Sequence, residues 1–96
     1  MNELQFEWDE DKAAANLIKH EVSFLTAAGI FDNETIERID DREDYGEERL
    51  IALGRVDFEV YRVVYTWRSE WLIRIISAQR VSKNERKAYY CEVFDE

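Results

Sequence analysis

Lys19-His20 is the first place in this chain where chemistry could reside. His20 is the only histidine, and histidine is the side chain whose ordinary titration lies near neutrality, so it can move a proton under mild conditions. The pair lies within FEWDEDKAAANLIKHEVSF, residues 6–24, a stretch that also holds five carboxylates. Arginine supplies the second chemically useful group. Between residues 62 and 87, Arg62, Arg68, Arg74, Arg80, Lys83, Arg86 and Lys87 face only Glu70 and Glu85, a local net of +5 in a chain whose total is -9. Residues 1–48 hold 15 acids and 4 bases. The chain is polarised, so a basic surface able to meet a phosphate survives the negative total.

Arginines at alternating strand positions collect on the open face of a half-buried sheet, where several guanidiniums can converge on one anion. Arg68 and Arg74 form the best such pair, one ending a strand and the other inside the strand that pairs with it. Placed beside Lys19 and His20 on one side of the sheet, they would make a phosphate site with a proton-transfer group. The plainer alternative is that the arginines solvate an open face and that His20 is a surface residue at a helix end. Trp8, Trp67 and Trp71 could stack on bases, but their spacing suits core aromatics better.

Other chemistries find no residues. There is no Gly-rich phosphate loop, no paired His/Cys spacing and no serine nucleophile motif. One His with one Cys cannot make an ordinary structural zinc site, so no metal or cofactor is expected. The lone Cys91 forms no internal disulfide, fits a reducing compartment, and reads as a small core residue of the last helix. The first residues lack the basic and apolar run of a secretory signal, and WLIRII is interrupted by Arg74, which leads to the expectation of a cytoplasmic protein without membrane contact. With no proline, three glycines and no low-complexity stretch, residues 1–96 read as one domain.

The elements that would position these groups follow from local signals. Asp9 as N-cap, Glu10 and Asp11 in the first turn and Lys19-His20 in the last predict a helix over Glu10 to His20, with Ala14, Leu17 and Ile18 as its apolar face. Ser23 opens a second helix whose Phe24, Ala27, Ala28 and Phe31 recur at helical spacing. Strands are expected at Thr35 to Ile39, Arg49 to Leu53, Phe58 to Arg68 and Trp71 to Ala78, the charged loop DDREDYGEE lying between the first two. In the last strand Leu72, Arg74, Ile76 and Ala78 would share a face. Ser82 with Glu85 three residues on is a capping-box signature for a helix running to about Phe94. The expected fold is α+β, with two N-terminal helices, a four-stranded antiparallel sheet and a C-terminal helix.

FEWDEDKAAANLIKHEVSF with FD shortly after, then EERLIALG, then VVYTWR and IRIISAQRVSKNERKAYY, resembles the BrnT family of toxins. In order, these pieces span Phe6 to Tyr90. The resemblance implies a RelE-like ribonuclease fold, RNA as substrate, a BrnA-like antitoxin as partner, and operator DNA reached only through that antitoxin. Carried over by position, the family's functional residues fall on Lys19-His20, Arg49, Arg68, Arg74 and Glu85. Two positions depart from the family pattern: Glu21 replaces a glycine after Lys-His, and Gln79 replaces the arginine that follows Ser-Ala. Gln79 can donate a hydrogen bond but brings no charge, and Arg80 would point to the other side of the strand. The implied activity is a metal-independent endoribonuclease with His20 as acid or base, Arg68 and Arg74 on phosphate, Lys19 and Arg49 as further cations, and Gln79, Arg80 and Glu85 near the RNA. The rival from another class is a catalytically weak module that binds a basic, antitoxin-like partner; a general acidic adaptor is the third possibility.

Overall fold

The computed structural model describes residues 3–94. In chain order it contains β1 (Gln5–Glu7), α1 (Glu10–His20), α2 (Phe24–Ala28), a 3₁₀ turn (Gly29–Asp32), β2 (Thr35–Asp40), β3 (Arg49–Val56), β4 (Glu59–Ser69), β5 (Leu72–Arg80) and α3 (Lys83–Phe94). The strands form one sheet in the order β1-β5-β4-β3-β2. β2 to β5 are antiparallel neighbours, as expected, but β1 adds a fifth strand parallel to β5, so the sheet is mixed. Only three residues long, β1 has no alternation to announce it. It is held by pairing at the sheet edge, including Gln5 N–H to Trp71 O at 2.7 Å.

Local chemistry sets the limits of α1. Asp9 Oδ1 accepts from Asp11 N and Lys12 N at 2.9 and 3.1 Å, and the helix closes when Glu21, at φ 58°, turns left-handed and donates its N–H to Leu17 O. A side chain in the left-handed region is strained relative to glycine. Ser23 caps α2 through Thr26 N–H. That helix is shorter than its apolar spacing predicts, because the chain tightens into the 3₁₀ turn at Gly29. The turn lies so close to β3 that a Cβ on Gly54 would stand 2.7 Å from Ile30 Cβ.

The sheet separates two layers. α1 and α2 pack on β5, and the 3₁₀ turn on β3, over a core of Phe24, Ile30, Val63, Tyr65, Ile73 and Ile75. α3 crosses the opposite face, where Tyr89 is buried and donates its hydroxyl to Glu34 O at 2.5 Å. Burial pushes that phenol's pKa up. Cys91 faces solvent from α3: because that helix buries only Tyr89, the expected core position does not exist.

Helix α1 meets the core differently from its apolar pattern. Leu17 and Ile18 are 50% and 83% exposed, and Ala14 is exposed, while Asn16 is buried. The reason is hydrogen bonding. Asn16 Nδ2 donates to Val22 O at 3.0 Å and to Ala78 O at 2.8 Å, and Asn16 Oδ1 accepts from Ala78 N at 3.1 Å. One amide therefore ties α1 to the loop after it and to β5. Asn16→Ala strands two carbonyls and an N–H in the core, and unsatisfied buried groups destabilise by about 1–3 kcal/mol each. Allowing for partial relaxation, urea denaturation should show a loss of about 3 kcal/mol.

The pairing of β4 with β5 is irregular in two places. Val64 pairs with Ser77 and Tyr65 with Ile75, leaving Ile76 as an extra residue; Trp67 pairs with Ile73 and Ser69 with Leu72, leaving Arg68 extra. The expected shared face of Leu72, Arg74, Ile76 and Ala78 is thereby broken. Ala78 joins Ile73 and Ile75 in the core, whereas Arg74 pairs with Thr66 on the opposite face. Bulges of this kind bend a strand and redirect its side chains.

Candidate functional site

The C-terminal end of α1 and the α3-side face of the sheet enclose a concavity of about 370 Å³. Strand pairing explains its lining. Arg38 pairs with Ile51, Ile51 with Val64, Val64 with Ser77, and Arg62 with Gln79, so these side chains share one face across β2 to β5. Lys19 and His20 close one side, Arg42 another. The Asn16 amide, anchored on Ala78, brings the end of α1 against this part of β5. Five cationic or proton-transferring residues thus line one concavity with Gln79: Lys19, His20, Arg38, Arg42 and Arg62.

Carboxylates enter the same face and hold several of the arginines. Arg42 Nε and Nη2 donate to Asp40 Oδ1 and Oδ2 at 2.7 and 2.8 Å. The Arg42 hydrogen bond holds the Asp40 carboxyl down to about 2, against a burial effect that raises it. Arg62 donates to Glu85, and that contact keeps the Glu85 carboxyl below its usual range. Glu85 also completes the capping box of α3, accepting from Ser82 N and Oγ while Ser82 Oγ accepts from Glu85 N. The start of α3 is thereby fastened to a cation of the concavity.

The Asp40–Arg42 pair has a pH signature. Because the folded-state pKa is depressed from 3.8 to about 2, the native state binds fewer protons than the unfolded chain in that window. The pair's contribution is complete above pH 3.8 and lost as pH falls through about 2. Thermal melts should therefore show the wild type more stable than Asp40→Asn above pH 4 or so, the gap closing towards about pH 2. The gap is small, since the Arg42 side chain is 64% exposed and water screens it.

Arg68 and Arg74 do converge, but on a carboxylate of the protein. Glu7 Oε2 lies 3.6 Å from Arg68 Nε and 3.1 Å from Arg74 Nη1, carried there by β1. Neither arginine lines the concavity with Lys19 and His20. Arg74 occupies the same sheet face further along, two cross-strand pairs from Arg62–Gln79, about 13 Å at the rise of a strand, and the bulged Arg68 lies beyond it. The polarisation of the chain does not keep acids away from this basic face: Glu7, Asp40 and Glu85 sit among the cations. Arg49 stacks over Tyr45 at 4.1 Å and pairs with Glu47. Arg80 pairs with Tyr61 on the other face and donates to His20 O and Glu21 O, both at 3.4 Å. Of the tryptophans, Trp8 packs edge-on against Phe24 by the core, while Trp67 and Trp71 are partly exposed.

Arg38, Arg42 and Ser77 are lining residues that sequence reasoning passed over. For Arg38 the signal was available, because Ile36 and Arg38 alternate along the strand expected over Thr35 to Ile39, which the structure extends to Asp40. Arg42 comes from an irregular loop and had none. Among the described residues no group of three or more His, Cys, Asp and Glu is placed to hold a metal ion, and no helix is long and apolar enough to cross a membrane.

No curated protein sequence matches the chain. Among solved structures it is similar to the crystal structure of the Brucella abortus ribonuclease toxin BrnT, with a TM-score of 0.64 at 21% identity, over 83% of this chain and 99% of that one. At that identity the likeness concerns the fold, and the mixed α+β arrangement described above is what the two share. The model of the ribonuclease toxin BrnT of type II toxin–antitoxin systems matches residues 8–85, a span that begins before α1 and ends on the glutamate bound to Arg62. By that match the chain belongs to the BrnT family of ribonuclease toxins, a membership that implies an antitoxin partner.

Proposed function

We propose that the protein is a metal-independent endoribonuclease toxin of RelE-like type, cleaving RNA at the concavity between α1 and the sheet. The presence of Lys19, His20, Arg38, Arg42, Arg62 and Gln79 in the lining of one concavity is the observation that carries this reading. In this chemistry the ribose 2′-hydroxyl attacks the adjacent phosphorus, the 5′-oxygen leaves, and a 2′,3′-cyclic phosphate forms. His20 moves a proton at one of the two oxygens, and the surrounding cations stabilise charge on the phosphorane. Gln79 adds a neutral donor. Arg68 and Arg74 meet a neighbouring phosphate of the same strand once they exchange Glu7 for it, and Arg49 and Arg80 are peripheral. Glu85 orients Arg62. A BrnA-type antitoxin is the partner, and operator DNA is contacted only through it.

The test is incubation of purified protein with a defined oligoribonucleotide in the presence of EDTA. Products ending in 2′,3′-cyclic phosphate are expected; absence of cleavage, or cleavage that EDTA abolishes, would overturn the reading. The pairing of Arg42, Arg62 and Arg74 with Asp40, Glu85 and Glu7 favours one rival. On that reading the cations are already satisfied, and the chain is a catalytically weak module that binds its antitoxin without cleaving RNA.

A further inference from the structure

The apolar stripe of α1 that turns away from the core has its own charge pattern. At 100° per residue, Leu17, Ala14 and Ile18 fall within a sector of about 120° together with Glu10 and Asp11, and Glu21 follows at the helix end. Lys12 and Lys19 project beyond the other edge of that sector. A shallow groove joins Leu17 to Leu25 of α2, with Trp8, Phe24 and Glu10 also on its walls. Leu17, Ile18 and Leu25 are exposed, Ile18 the most. Contiguous exposed apolar side chains on one helix face mark a contact surface.

We propose that this outer face of α1 and α2 docks the antitoxin, through an amphipathic segment whose apolar side chains cover Leu17, Ile18 and Leu25 and whose basic residues meet Glu10, Asp11 and Glu21. Charge selects this occupant. RNA is repelled by a face with three carboxylates and no cation in its sector. A second copy of the chain fits poorly too: antiparallel pairing of two α1 helices sets Glu10 and Asp11 of each against Glu21 of the other, on molecules of net charge -9. A basic amphipathic segment satisfies both the stripe and its rim. The docking surface lies on the opposite side of α1 from Asn16 and does not depend on the proposed RNA chemistry.

The test measures affinity for the purified antitoxin encoded with this chain, by calorimetric titration. Ile18→Lys should weaken binding by about 30-fold or more and Leu25→Lys by about 10-fold, as central anchors of an interface do. Ile18→Met, which keeps the apolar contact, should stay within about threefold of wild type. Phe58→Lys, at the exposed turn between β3 and β4 and outside the α1–α2 groove, is the control and should change nothing. Raising salt should weaken wild-type binding, because the rim contacts are charged. Since Ile18 and Leu25 are mostly in solvent, these variants keep the fold, which melting curves verify. Lysine variants that bind as tightly as wild type would overturn the proposal, as would a wild-type chain that does not bind the antitoxin. So would a wild-type dimer in sedimentation that Ile18→Lys dissociates, since the occupant would then be a second copy.

Discussion

His20→Ala should lower the rate of RNA cleavage by roughly 10²- to 10⁴-fold, the usual worth of a positioned proton-transfer group. The imidazole is the one side chain of the concavity suited to proton transfer near neutrality, its other charged lining residues being Lys19 and arginines. The substitution is also clean. The hydrogen bond of this residue to Arg80 runs through its backbone carbonyl, so the end of α1 keeps that tie. Single-turnover rates on a defined oligoribonucleotide would measure the loss, and added imidazole should restore part of it. An unchanged rate would mean that the concavity binds RNA without supplying the proton.

Gln79→Arg should raise cleavage by about 30- to 10³-fold, a gain of about 2–4 kcal/mol in transition-state stabilisation for one well-placed charged donor. Register makes the position favourable. Gln79 is the cross-strand partner of Arg62, on the face that Lys19 and His20 close, so a guanidinium there points at the proposed phosphate. The gain should vanish with His20→Ala in the same chain, because charge stabilisation without proton transfer accomplishes little. Arg80→Ala serves as the register control: Arg80 pairs with Tyr61 on the opposite face and should leave the phosphate contact intact. Should Gln79→Arg change nothing while Arg80→Ala abolishes cleavage, the end of α1 that Arg80 holds matters more than a charge at position 79.

What could be read from the residues was whatever local interactions decide. The limits of α1 came out as Glu10 and His20 because a cap at Asp9 and a last-turn cation pair are written within a few residues of each other. The capping box of Ser82 and Glu85 was legible for the same reason. Long-range pairing was not. β1 has three residues and a partner 67 positions away, and no periodicity reveals such a strand. The apolar spacing of α1 was seen correctly, yet its orientation depended on whether Asn16 would find Val22 O and Ala78 O, which only the folded sheet supplies. At the site, Lys19, His20 and Gln79 were picked out from the sequence and lie together. Arg68 and Arg74 were paired correctly with each other, but the carboxylate of an unforeseen strand is what they meet.

The extra residue Ile76 changes the parity of β5. Arg74 and Gln79 are five positions apart, an odd number, and in an unbroken strand they would look in opposite directions. The bulge makes five positions count as four, so both look towards the same side. A change that straightened the strand without shortening it would therefore turn one of them into the core. Deleting Ile76 altogether would leave Ser77 and Ile75 in ordinary succession opposite Val64 and Tyr65 and keep both outward. In this strand the loss of a residue does less harm than the loss of a kink.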